Sequence, residues 1–138
     1  MGPLFVPGIP APQGSKSFRG MRNGRGILVE SSRAVGPWRE RVALAAHAHG
    51  WTPGTGPVYV HLEFIRPRPA STPKSRTPAA VKKPDLDKLV RAILDALTGI
   101  AYADDSQVTE IYASKRLAEI GETPGVRLTI NGTRAEED

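Results

Sequence analysis

KPDLDKLVRAILDALTG, residues 83–99, reads as one amphipathic helix. Its apolar residues Leu86, Leu89, Val90, Ile93, Leu94 and Leu97 recur at i, i+3, i+4, i+7, i+8 and i+11, the spacing of a single buried stripe. Gly99 supplies the stop, so the predicted helix spans about 86–98. Off the stripe, Asp87, Arg91 and Asp95 follow one another at intervals of four and line a polar edge. Asp85 precedes the first turn, where the backbone is not yet helical and side chains two apart converge. Asp85 and Asp87 therefore stand together at the helix entrance.

Strand patterns flank this helix. PVYVHLEFI (57–65) alternates Val58, Val60, Leu62 and Phe64 against Tyr59, His61 and Glu63, a half-buried strand. Downstream, QVTEIYASKR (107–116) and GVRLTING (125–132) read as the last two strands, joined through a Gly-containing loop into an expected antiparallel hairpin. Upstream, PLFVPGI (3–9) is a first strand weakened by Pro7. Residues 12–26 read as a Gly-rich basic loop and 27–29 as a short strand. Pro37 suits a first helical position, and the helix after it runs to Gly50 with Trp38, Val42, Ala45 and Ala46 on its buried side. Residues 66–83 hold four prolines, six basic residues and no acid, and are expected to be a mobile loop. The order is β-β-α-β-α-β-β. It implies an α+β, two-layer domain with a mixed sheet of four to five strands packed against two helices. One domain covers 1–131, and GTRAEED (132–138) is a polar tail.

Composition narrows the chemistry. At 138 residues one core is expected. The chain has no cysteine, which removes disulfides, zinc–thiolate sites and thiol catalysis and suits a reducing cytoplasm. No apolar run approaches the roughly 20 residues that span a bilayer. The Pro-broken start MGPLFVPGIPAP is not read as a signal peptide. Net charge is +5, but it is unevenly laid out. Five of the six aspartates, Asp85, Asp87, Asp95, Asp104 and Asp105, fall within residues 85–105, a window of charge −3, while the rest of the chain carries +8. An acidic centre inside a basic protein fits a metal cation at the centre and a phosphate backbone around it.

Each acidic residue also has a plain structural reading. Asp85 is a good N-cap, Asp87 suits the helix dipole, Asp87 and Arg91 are spaced as a surface pair, and Asp104–Asp105 reads as a solvated turn. Tyr102 follows Leu97 by only five positions, and this short return is expected to bring Asp104 and Asp105 beside the helix entrance. Such a carboxylate cluster is repulsive until a hard divalent ion relieves it, and Mg2+ is the usual choice where phosphate is the substrate. No Ser-His-Asp or Cys-His arrangement competes. His47, His49 and His61 are the only histidines and are read as structural. Candidate phosphate contacts are Lys16, Arg19, Arg22 and Arg25 in the first basic stretch, Lys74, Arg76, Lys82 and Lys83 in the second, and Lys88 and Lys115 beyond them.

The run KPDLDKLVRAILDALTGIAYADDSQV (83–108) resembles the signature of the RusA family of Holliday junction resolvases: Asp-Leu-Asp opening a helix, Asp-Ala-Leu, then an aromatic and Asp-Asp-x-Gln-Val. The likeness extends loosely over residues 4–131, including Lys115 after the motif. Carried over by position, it implies that Asp85, Asp87 and Asp105 are metal-binding catalytic aspartates, with Asp104 a further candidate ligand or a shaper of the turn. It implies a homodimer that hydrolyses opposed strands of a four-way DNA junction with Mg2+, Mn2+ substituting, and needs no organic cofactor and no membrane. It also implies a place in recombination and repair in a bacterial cell, and a phage or prophage origin fits. The chain departs from the pattern at two positions. Lys88 stands where the family has Asn, and Arg91 where it has a functional Lys. Arg91 presents a charged planar fork that clamps phosphate and stabilises developing charge but donates no proton at ordinary pH, while Lys88 offers an ammonium nearby. Two rival readings stay open: a basic DNA-binding module without catalysis, and a less selective flap or single-strand nuclease.

Overall fold

The structure, a computed structural model, describes residues 1–14, 16–22, 25–30 and 33–131, with the backbone alone for 16–22 and 25–30. Its elements are β1 (Leu4–Pro7), β2 (Lys16–Arg22), β3 (Arg25–Glu30), α1 (Val35–Ala48), β4 (Val58–Arg66), α2 (Leu86–Leu97), a 3-10 turn (Asp105–Gln107), β5 (Val108–Leu117) and β6 (Gly125–Ile130). The four-stranded sheet has the order β1-β6-β4-β5 and is mixed: β4 runs parallel to β5 and antiparallel to β6. Both helices cover one of its faces. The expected α+β layering is therefore the observed one.

The alternation read in 57–65 is the centre of the core. Val58, Val60, Leu62 and Phe64 are buried, and Val60, Leu62 and Phe64 pair across β6 with Ile130, Leu128 and Val126, also buried. Onto this face α2 lays Leu89, Ala92, Ile93, Ala96 and Leu97, with Leu86, Val90 and Leu94 partly buried at its margins. From α1, Val35, Trp38, Val42 and Ala46 join the same cluster, with Ala45 beside them. The opposite face is open and polar. There Glu63 pairs with Arg116 of β5 at 3.2 Å and Arg127 of β6 at 2.7 Å, tying three strands together. Arg116 also forks onto Glu122 and holds that carboxyl down at about 2, well below the usual range.

Two expectations are corrected. The stretch read as a loop over 12–26 contains most of a two-stranded antiparallel ribbon, β2 with β3, so there are six strands in the described residues. Gly20, Gly24 and Gly26 mask the strand signal there. Second, β5 and β6 form no hairpin, because β4 lies between them. The inward residues of β6 find buried apolar partners on β4, whereas Thr109 and Glu110 of β5 are exposed and offer none. The Pro-rich segment after β4 is a loop, as read, and Arg68 is bonded across it. Arg68 donates to Thr77 Oγ1, Ala118 O, Pro73 O and Arg76 O. Proline and basic content alone gave no sign of that hub. No helix of the described residues is long and apolar enough to cross a membrane.

Candidate metal centre and nucleic-acid interface

Asp85 occupies the N-cap position of α2 in extended backbone, yet its side chain makes no capping hydrogen bond. The plain structural reading of Asp85 thus lacks its defining contact. Asp85 and Asp87 are both exposed, as are Arg91 and Asp95 along the polar edge. No ion pair engages Asp87 or Arg91 among the described residues, whereas Asp95 sits 4.0 Å from Arg39. The loop entering α2 is held from behind. Lys115 of β5 donates from Nζ to the carbonyls of Lys82 (2.9 Å) and Pro84 (2.7 Å), the residue before Asp85. The Lys83–Pro84 peptide is cis. Lys115, expected on DNA, therefore spends two of its three donors on backbone.

A cleft of about 340 Å³ opens next to Asp85, lined by Gln13, Arg66, Lys83, Pro84, Asp85 and Lys88 among others. Gln13 N donates to Lys88 O at 2.9 Å, so the chain crosses the start of α2 three residues before β2 begins. The ribbon carrying Lys16, Arg19, Arg22 and Arg25 springs from this rim, but the side chains of those four lie outside the described residues. Arg66, half-buried, donates to Pro10 O, and burial lowers its pKa. Arg66 and Gln13 were missed in the sequence, where one was only a member of a basic loop and the other carried no charge. Lys74, Arg76, Lys82 and Lys83 are exposed, and Lys88 is half-buried at the cleft. His61 stacks edge-on against Tyr112 and His49 against Trp51, consistent with structural roles.

The second acidic pair divides into two roles. Asp104 accepts from Ser106 N at 2.8 Å and, with Gln107 Oε1 accepting from Asp104 N, closes a capping box. That backbone hydrogen bond holds the Asp104 carboxyl below its ordinary value. Gln107 Nε2 meanwhile donates to Gly54 O and Gly56 O, just ahead of β4. Asp105 has no such capping contact and is exposed. Tyr102, fully buried, fixes where the pair emerges: its hydroxyl donates to Leu94 O at 2.7 Å, in the last turn of α2. Burial, then the nearby charge of Asp105, pushes the Tyr102 phenol up.

Asp105 is thus at the C-terminal end of α2, while Asp85 and Asp87 are at its start. The 12 residues of α2 make that separation roughly 18 Å along the axis. The strand between gives a matching measure, because Val108 to Lys115 on β5 spans about 23 Å at 3.3 Å per residue. Among the described residues no three His, Asp or Glu side chains are grouped to hold a metal ion. The expected meeting of Asp85, Asp87, Asp104 and Asp105 within one chain is corrected accordingly. The return after Leu97 is short, as read, and for that reason it cannot walk back the length of the helix. One chain offers two carboxylates with oxygen donors suited to a hard cation, and a third at the other end of α2.

Asp85, uncapped at its helix start, thus shares a cleft with Arg66, Lys83 and Lys88 on an α+β frame. The family model described as "Endodeoxyribonuclease RusA" matches residues 7–131, and the chain belongs to that family, one of Holliday junction resolving endonucleases. It is also similar to the "Uncharacterized protein YqaN" of Bacillus subtilis (strain 168), 35% identical over 124 residues, which cover 83% of this chain and 86% of the relative.

Proposed function

We propose that this protein is a Mg2+-dependent endonuclease that resolves four-way junctions by paired phosphodiester hydrolysis in bacterial recombination and repair, acting in the cytoplasm as a homodimer. The observation that carries the reading is the contrast between two aspartates at helix starts: Asp104 caps, and Asp85 does not. A carboxylate spared from capping beside a cationic cleft is suited to a ligand.

Because a single chain does not assemble three carboxylates, we assign the ion to Asp85 and Asp87 of one copy with Asp105 of another. Mg2+ commonly takes one or two carboxylates and keeps several waters, so this donor set suffices. When bound, the ion supplies positive charge for a phosphate oxygen and acidifies a water. The chain's own residues hold the substrate. Arg91 offers its fork to the scissile phosphate, Lys88 and Lys83 line the cleft against the neighbouring backbone, and the β2–β3 ribbon extends the basic surface. Asp104 and Gln107 present Asp105 rather than bind the ion.

Complementation between two inactive variants tests the assignment. Asp87→Asn and Asp105→Asn should each lose Mg2+-dependent nicking of a labelled four-way junction while retaining binding. Mixed together, they should recover nicking of one strand, because one of the two shared sites in a mixed dimer is intact. Recovery would be absent if all ligands came from one chain. Absence of Mg2+-dependent nicking by the wild type would return the protein to a DNA-binding role, and full cleavage by both single variants would remove these aspartates from the site. Equal cutting of linear duplex and junction would favour a less selective nuclease.

A further inference from the structure

We infer that the cleft between the Pro-rich segment after β4 and the end of β5 receives one unstacked base of the bound DNA, with the phosphate of that nucleotide on Arg66 and Lys83. This rests on the reading that the chain acts on branched DNA at Asp85, and it names the nucleotide contact that sets which phosphate faces that aspartate.

The cleft holds about 350 Å³, within the roughly 300–1,000 Å³ of small-molecule sites. Much of its wall is apolar: Pro69, Pro78, Ala79, Ala80 and Leu117. Val81 stands at its margin with 84% exposure, the highest among the large apolar residues described. Every charged residue on the lining is basic: Arg66, Lys82, Lys83 and Lys115. An apolar hollow with a wholly cationic border fits an occupant that joins an apolar body to negative charge. A nucleotide is such an occupant, since apolar side chains serve to sandwich an extruded base. Ser71 and Thr72, also on the lining, offer hydroxyls to the base edge.

Position favours DNA over any other acidic partner. Arg66 and Lys83 line both this cleft and the one beside Asp85, so the two hollows share a wall. At that wall Arg66 is half-buried, donates to Pro10 O, and meets no carboxylate among the described residues. Burial without a counter-ion lowers its pKa, and a phosphate supplies the missing charge. Asp85 lies on one side of the wall and the apolar hollow on the other. A strand whose phosphate rests on the wall therefore brings the neighbouring linkage to Asp85 and its base to the hollow.

The hollow is built before DNA arrives. Arg68 folds the Pro-rich segment back on itself through Pro73 O, Arg76 O and Thr77 Oγ1, and ties it to the end of β5 through Ala118 O. Lys115 fixes the far limb through Lys82 O and Pro84 O. A preformed site loses little ordering entropy on binding. Extruding a base costs least where pairing and stacking are already interrupted, as at a branch point.

The test needs no cleavage, so it stands apart from the nuclease reading. A four-way junction carrying 2-aminopurine, in turn at each nucleotide beside the branch point, is bound in chelating buffer. At one position the fluorescence should rise at least two-fold on binding, as that base leaves the stack. Ala80→Glu, which sets a carboxylate in the cleft, should abolish the rise with the circular dichroism unchanged. Leu44→Glu, 62% exposed on α1, should leave it intact. Independently of any variant, 5-iodouracil at the same position should cross-link within residues 66–83. With Mg2+, an abasic nucleotide there should slow nicking by about five-fold or more, the loss expected for one stacked base. No rise at any position, a rise that survives in folded Ala80→Glu, or cross-linking confined to other segments overturns the proposal. Nicking without a rise keeps the nuclease and removes this site. A rise lost in Ala80→Glu, from a protein that nicks nothing, keeps the base site and removes the nuclease.

Discussion

Asp104 and Asp105 are chemically identical neighbours whose backbones give them different tasks. Asp104 sits in extended backbone (φ −148°, ψ 141°), from which its carboxylate reaches Ser106 N. Asp105 begins the 3-10 turn, one residue too late to cap it. The resemblance already set Asp105 apart from Asp104, and the Asp-x-x-Gln spacing of 104–107 marks the first as a cap; the dihedral pair shows how that role is met. Tyr102 decides where they emerge. Its hydroxyl and the Thr98 hydroxyl both donate to Leu94 O, at 2.7 and 3.0 Å, which satisfies a carbonyl freed by the end of α2. Tyr102→Phe should therefore cost about 0.5–1.5 kcal/mol, because Thr98 still serves that oxygen. For a chain of this size the melting temperature should fall by roughly 2–6 °C in a thermal scan. An unchanged melting temperature would show that the buried hydroxyl contributes nothing.

At the scale of elements, what was legible in the sequence was whatever burial makes periodic. The alternation over β4 and the stripe over α2 survive because each element hides one side, and their observed limits lie within a residue or so of the reading. The β2–β3 ribbon was illegible because glycines and cations interrupt its alternation. The neighbour of β6 was illegible because strand order depends on which surfaces match, and connection length does not encode it. The β1–β6 contact is another such feature. Gly125 pairs with Pro7 on one side and Ile65 on the other. A Cβ at Gly125 would lie 2.3 Å from Val6 O and 2.6 Å from the Phe5 ring. Backbone cannot yield that distance cheaply, so Gly125→Ala should destabilise by about 1–3 kcal/mol. The urea midpoint should drop, and amide exchange should speed first across Leu4–Pro7, since a four-residue edge strand is the part that can peel away. Wild-type exchange in β1 would mean that the strand accommodates the methyl without moving.

For the whole molecule, the decisive property is a charge layout with its sign reversed at the centre. Basic residues outside 85–105 total +8 net, and the window itself −3. Long-range attraction therefore draws in a polyanion, while the exposed Asp85 and Asp87 oppose the phosphates that come nearest. Without divalent cations that opposition should be measurable as lost affinity. A pair of like charges 8 Å apart in water costs about 0.5 kcal/mol, or roughly two-fold in binding for each aspartate. In chelating buffer at low salt, the Asp85→Asn/Asp87→Asn double variant should bind a labelled four-way junction about four-fold more tightly than the wild type, read by fluorescence anisotropy. Raising the salt to about 0.3 M should shrink the gap, since screening shortens the reach of both charges. Adding Mg2+ should reverse the order, because only the wild type then carries an ion to the phosphate. Indistinguishable affinities at low salt without metal would place both aspartates away from the bound DNA, and the nuclease assignment would lose its site.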